Sequence, residues 1–221
     1  MTNLQTTADT LSSRQQAIVP IAAHAAVGDM ARLSIAINQG LDTGLTVNDA
    51  KEILVQLYAY AGFPRSLNAL GELMRVVEDR KKRGLIDAIG RVPNRTIPTG
   101  DALLAAGTAN QTKLLGAPVK GPLFEFAPAA DLYLKSHLFG DIFERDNLDW
   151  KSRELATVGM LSALQGVDPQ LQSHVGISMN IGITESQLKQ VAQIVTEQVN
   201  ADAGTRIADA IKRHLTTRTS R

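Results

Sequence analysis

No cysteine occurs among the 221 residues. A disulfide framework, a thiolate nucleophile and a cysteine-based metal site are excluded together. An excess of either charge is missing as well, since 23 Lys and Arg against 22 Asp and Glu leave a net charge of +1. Such a balance gives no electrostatic footprint for nucleic acid or an anionic membrane. The single charge run, EDRKKR at residues 78–83, reads as a solvated last helical turn whose cations suit the helix dipole. No apolar run is long enough to span a bilayer and no early one resembles a signal peptide, so a cytoplasmic protein is expected. No His-x-x-x-His pair or carboxylate triad stands at ligand spacing, so no metal is expected. Period-two alternation is also lacking. The chain is predicted to be all-α and long enough to bury a substantial core without disulfides or metal.

Helix punctuation, by contrast, is plentiful. Residues 1–10 are polar and Thr-rich, a mobile tail or an arm on a neighbour. A helix is predicted over residues 13–27, broken at Gly28, with Asp29 capping the next as far as Gln39. Thr46, with Asp49 three residues on, opens a third helix. Pro64 suits the first turn of a fourth, which runs to Arg83 and stops at Gly84. Residues 85–111 carry three Gly and two Pro and read as a connector with one short helix at 101–106. Residues 113–128 are loop-like but too apolar to float free, so they pack into the fold or line a site. Helices resume over 129–137, 149–165, 169–181, 184–199 and 205–215.

The rest is organised around residues 54–70, LVQLYAYAGFPRSLNAL. Ala50, Ile53, Leu54, Leu57, Tyr58 and Ala61 share one helical stripe, while Val55 and Ala59 lie opposite with only Glu52 and Gln56 between. A helix apolar nearly all round is expected to be buried on both sides. Glu52 would then sit against packed apolar surface. Without a cation its pKa rises, which is how proton-transfer groups are made. The other reading is an ion pair with a basic residue at a subunit interface.

A helix followed by YAGFP and RSLNAL resembles the carboxymuconolactone decarboxylase family, the all-helical group that includes alkyl hydroperoxidase D. So do FGDIFERDNLDWKSREL at 139–155 and LQSHVGISMNIGIT at 171–184. The two parts can be laid on one another. Leu11 to Ile18 meets Leu148 to Leu155 and, after a one-residue insertion, Leu33 meets Leu171 and Gly44-Leu45-Thr46 meets Gly182-Ile183-Thr184. Two related units are therefore expected at 11–84 and 129–221, joined by a connector and packed loop at 85–128. They have kept different residues. His174 stands ten before Thr184 where the first half has Ala36, and Glu52 stands six after Thr46 where the second half has Gln190. Neither unit holds a complete acid–base pair, so either a composite site is built from both or the chemistry has been lost.

The resemblance implies cofactor-free acid–base chemistry, decarboxylation or isomerisation, on a small carboxylated lactone or enol from aromatic-compound catabolism. In that role Glu52 would carry the proton, with His137 or His174 assisting. Arg65 and Lys120 would hold substrate carboxylates. Tyr58 and Tyr60 could donate to a bound oxygen, although Tyr58 lies on the core stripe and is as readily packing. His24 reads as a satisfied packing residue and His214 as solvated near the C-terminus. Arg14 and Arg153, placed at equivalent repeat positions, read as structural. The family's peroxidase branch needs a Cys-x-x-Cys pair that this chain lacks, so thiol peroxidase activity is excluded. The alternative is a non-catalytic or merely binding member. Members with one unit per chain resemble rings of six, which for a fused pair implies a homotrimer with pseudo-sixfold arrangement.

Overall fold

Side-chain caps set most of the early helix boundaries. In the computed structural model, which describes residues 9–219, α1 (Ser13–Val27) opens on a reciprocal capping box between Ser12 and Gln15. The expected tail at 1–10 lies almost wholly outside the described residues. Asp29 caps α2 (Met30–Asp42), and Thr46 with Asp49 forms a second box at the start of α3 (Val47–Gln56). Each such cap is worth about 1 kcal/mol. The next donors of α3 are met by the connector: Val47 and Asn48 N–H groups donate to the Ala88 and Ile89 carbonyls at 2.9 Å each. Helix α4 (Tyr58–Lys82) bends at Gly62, whose φ of 80° and ψ of 162° suit only a residue without a Cβ.

Beyond the connector come α5 (Gly100–Leu115), the short α6 (Pro122–Phe126) and α7 (Pro128–Tyr133), and a π-helical segment (Leu134–Ile142). Four helices close the chain: α8 (Trp150–Ala163), α9 (Asp168–Asn180), α10 (Glu185–Gln198) and α11 (Ala201–Thr219). The protein is all-α, and no strand occurs among the described residues. None of their helices is long and apolar enough to cross a membrane.

Three expectations need correction. The short helix at 101–106 is a helix of 16 residues, because Gly107 does not break it. A Cβ at Gly107 would meet the Lys135 carbonyl at 1.7 Å, so this glycine is where the π-helical segment crosses α5. The cost of an interior glycine, about 1 kcal/mol, is offset by the cluster this crossing closes, Leu114 with Leu138, Phe139, Ile142, Phe143 and Ile177. Second, Arg80 in the charge run is not solvated. It is buried, and its guanidinium binds Asp87 from Nε at 2.9 Å and Asp42 from Nη2 at 2.8 Å, tying the connector to α2 and α4. Third, α3 is not apolar on both faces. Ala59 just beyond it is exposed and Val55 half-buried, and the second buried face consists of Glu52 and Gln56. That face is covered by α8 of the same chain.

The main core spans both halves. Ile18, Val19, Ile21 and Ala22 of α1 join Leu155, Ala156 and Val158 of α8, with Leu33, Ile53 and Leu57 from one half and Leu171, Val175, Leu188 and Ile207 from the other. Complete burial contributes roughly 1.5–3 kcal/mol for each large aliphatic side chain. The halves also share local detail. Helices α2 and α9 each have 13 residues and end on the same backbone, φ −91° and ψ 7°, at Thr43 and Ile181. Thr46 and Thr184 each build a capping box with the residue three further on.

Candidate active site

Glu52, 4% exposed, faces α8 rather than solvent or a histidine. Arg145, just before α8, grips its carboxylate with two donors, Nη2 to Oε1 at 2.6 Å and Nε to Oε2 at 2.8 Å. Arg153 adds Nη2 to Oε2 at 3.1 Å. Burial pushes the Glu52 pKa up, but hydrogen bonds and charge from Arg145 and Arg153 outweigh it and the net shift is downward. The raised, proton-carrying carboxyl expected from the sequence is therefore not what the fold builds. Both cations come from the same chain rather than a subunit interface.

Arg153 is wholly buried and extends the network. It donates to the Arg145 carbonyl at 3.0 Å and to Gln56 Oε1 at 3.2 Å, while Gln56 Nε2 donates to Thr157 Oγ1 at 2.7 Å. Burial lowers the Arg153 pKa, with Glu52 opposing. With Leu11 laid on Leu148, the residue facing Arg153 is Gln16, and Arg14 faces Lys151, which corrects the supposed equivalence of the two arginines. Arg14 instead pairs with Asp49 at 2.6 Å.

One residue along α8, Glu154 is fully buried and meets a different partner. Its Oε2 lies 2.7 Å from Nδ1 of His174 on α9, and its Oε1 has no hydrogen-bond partner. Tyr60 sets its ring edge-on to His174, centroids 5.6 Å apart and planes at 77°. The Tyr60 hydroxyl is buried without a partner of hydrogen-bonding geometry. Burial first, and the Glu154 charge second, push this phenol far above its ordinary range, with Thr157 and Arg153 opposing. Two buried carboxylates thus stand on facing helices in opposite conditions. Glu52 is neutralised by two arginines, whereas Glu154 has a histidine and a spare oxygen.

The other candidates are dispersed. His137, on the π-helical segment, is exposed and binds Asp141 Oδ2 through Nδ1 at 2.6 Å. Tyr58 lies between His137, at 5.4 Å, and Phe63, on which it stacks at 4.4 Å. The Arg65 side chain runs over Gly28 at the end of α1, and Lys120 is exposed in the stretch between α5 and α6. Neither bonds to Glu52, Glu154 or His174 among the described residues. His24 is buried as expected, while His214 is half-buried against Gly176 instead of solvated. No three His, Asp or Glu side chains converge as metal ligands among the described residues.

Sequence reasoning missed Glu154, Arg145, Gln56 and Thr157. Glu154 carried a signal: it follows Arg153 at the head of LATVGMLSAL, a run with almost no other polar residue, so it had to be buried and partnered. Residues 128–212 match the family model described as Carboxymuconolactone decarboxylase family, a segment that includes Glu154 and His174 but not Glu52. No curated protein matches the chain.

Proposed function

We propose, from the match of residues 128–212 to the carboxymuconolactone decarboxylase family, cofactor-free proton transfer at His174, oriented by Glu154, on a small carboxylated lactone or enol. The observation that carries this reading is the buried Glu154–His174 pair with its two unsatisfied oxygens, Glu154 Oε1 and Tyr60 Oη. With Nδ1 engaged by the carboxylate, Nε2 is left to exchange a proton. Loss of CO2 from the substrate leaves an electron pair on carbon, delocalised toward the ring carbonyl. Protonated Nε2 supplies the proton that this carbon takes up, and the imidazole regains one from water. Isomerisation uses the same atom, removing a proton at one carbon and returning it at another. The Tyr60 phenol, kept protonated, donates to a substrate oxygen.

His174→Gln and Glu154→Gln should each lower CO2 release or solvent-proton exchange in a panel of carboxylated lactones by about 10²-fold or more. Unchanged turnover in His174→Gln would overturn the assignment. A non-catalytic binding member is the second reading, supported by the neutralisation of Glu52. It is distinguished by an absence of turnover in the wild-type protein across the panel. The exposed apolar side chains Phe63, Leu67 and Met74 on α4 support the homotrimer, which light scattering tests. A monomer at micromolar concentration would count against it.

A further inference from the structure

In the register of the repeat, the position of the Glu154–His174 centre in the second half corresponds to a hollow in the first. Ala17 stands where Glu154 does and Pro20 where Thr157 does, counting from Leu11 on Leu148. Ala36 replaces His174, and Gln198 replaces Tyr60, counting from Thr46 on Thr184. Four side chains that fill one site are smaller or less polar in the other. The result is a pocket of about 410 Å³ lined by Pro20, His24, Arg32, Ile35, Ala36, Gln39 and Gln198. A groove of about 420 Å³, which reaches Ala17, shares Pro20, Ala36, Gln39 and Gln198 with it. Either volume falls in the range that encloses a small organic molecule.

The lining has a polar and an apolar side. Arg32 is fixed at the rim: its Nη1 donates to the Val199 carbonyl at 3.3 Å, and its Nε lies 3.7 Å from Asp29. A guanidinium has five N–H donors, so several remain for a ligand. Gln39 and Gln198 add amide groups, and His24 presents a buried imidazole. Pro20, Ile35 and Ala36 supply the apolar wall. One cation with amides beside it suits a single carboxylate, held by charge-assisted hydrogen bonds, and the apolar wall suits a ring or short hydrocarbon body.

We propose that this first-half pocket, between α1, α2 and the end of α10, is a binding site for a small monocarboxylate with an apolar body. It is separate from the His174 centre and does not depend on the chemistry assigned there. Arg32 and Gln198 are both exposed, so their replacement leaves the core intact.

Equilibrium dialysis of radiolabelled benzoate against the full chain tests the proposal. Saturable binding is expected, weakened at least about tenfold by Arg32→Gln, which removes the charged donor, and also by Gln198→Glu, which sets a repelling carboxylate in the pocket. His174→Gln should bind benzoate as the wild type does. Absence of saturable binding, or equal affinity in Arg32→Gln and Gln198→Glu, would overturn the proposal. So would binding lost in His174→Gln but kept in the other two, because benzoate would then be reporting the second-half centre.

Discussion

Glu52 and Gln190 stand six residues after corresponding capping threonines, and each reaches from its own half to the segment leading into the other half's first helix. Gln190 does this with an amide, its Nε2 donating to the Asp9 carbonyl and its Oε1 accepting from the Leu11 N–H, both at 3.0 Å. Glu52 does it with charge, holding Arg145 ahead of α8 and Arg153 within it. The segment being held decides which is needed. A backbone that offers one donor and one acceptor is matched by a neutral amide. Two guanidinium groups, one of them wholly buried, require a carboxylate. The charge on Glu52 therefore follows from its place in the assembly of the two halves, and the neighbouring Glu154–His174 pair is the one to which the proposed proton transfer is assigned.

Glu52→Gln breaks this comparison most severely. It leaves Arg153 buried without its counter-charge, a loss of about 3–5 kcal/mol, or roughly 10 °C in a thermal melt. Turnover per folded molecule should be unchanged. A normal melt with lost turnover would restore Glu52 as the proton carrier. Gln190→Ala removes two neutral hydrogen bonds in a half-buried setting and should cost about 1–2 kcal/mol in a urea titration. A cost equal to that of Glu52→Gln would show that charge is not what separates the two positions. Smaller still, Thr46→Ala and Thr184→Ala should each lose about 1 kcal/mol. Similar values would fit matched caps, and a clearly larger loss at Thr46 would reveal an added contribution from the connector segment packed beside it.

Acid titration sharpens the comparison last. The folded Glu52 carboxyl lies below its ordinary 4.5, so its stabilisation is present above that value and is lost as pH falls through the folded pKa. His24 is lowered from 6.5 by burial, with Asp29 opposing, Arg32 adding to the shift, and the Gln198 backbone opposing. The unfolded chain then binds the proton first, and stability declines as pH falls from 6.5 toward the folded value. Urea midpoints measured over a pH series should show the shallow decline from 6.5 in both wild type and Glu52→Gln. The loss below 4.5 should be larger in the wild type than in Glu52→Gln, where Glu72 and Asp146, also held below their ordinary values, still contribute.

Much of the fold was legible because capping is local. Asp29 and the Thr46 box act over three residues, and the glycines that end helices act at one. The misreadings concern contacts across the chain. Gly107 resembles a helix breaker until Lys135 is seen against it, and Arg80 resembles a surface charge until Asp87 and Asp42 close on it. At the site, the burial of Glu52 could be inferred from its apolar neighbours, but Arg145 and Arg153 lie 93 and 101 residues away. Nothing in its local pattern specified whether it would be desolvated alone or neutralised.

The sequence by itself determined an all-helical chain, the starts of its capped helices, the exclusion of thiol chemistry and the burial of Glu52 and His24. These follow from residue type and spacing within a few turns of helix. Tertiary structure alone decided that Glu52 is neutralised while Glu154 keeps a free oxygen, that His174 rather than His137 is enclosed, and that the first half has a hollow where the second has the buried Glu154–His174 pair. A carboxylate's chemistry depends on which charges lie within a few ångströms of it, and those charges are brought there by the packing of α3, α8 and α9.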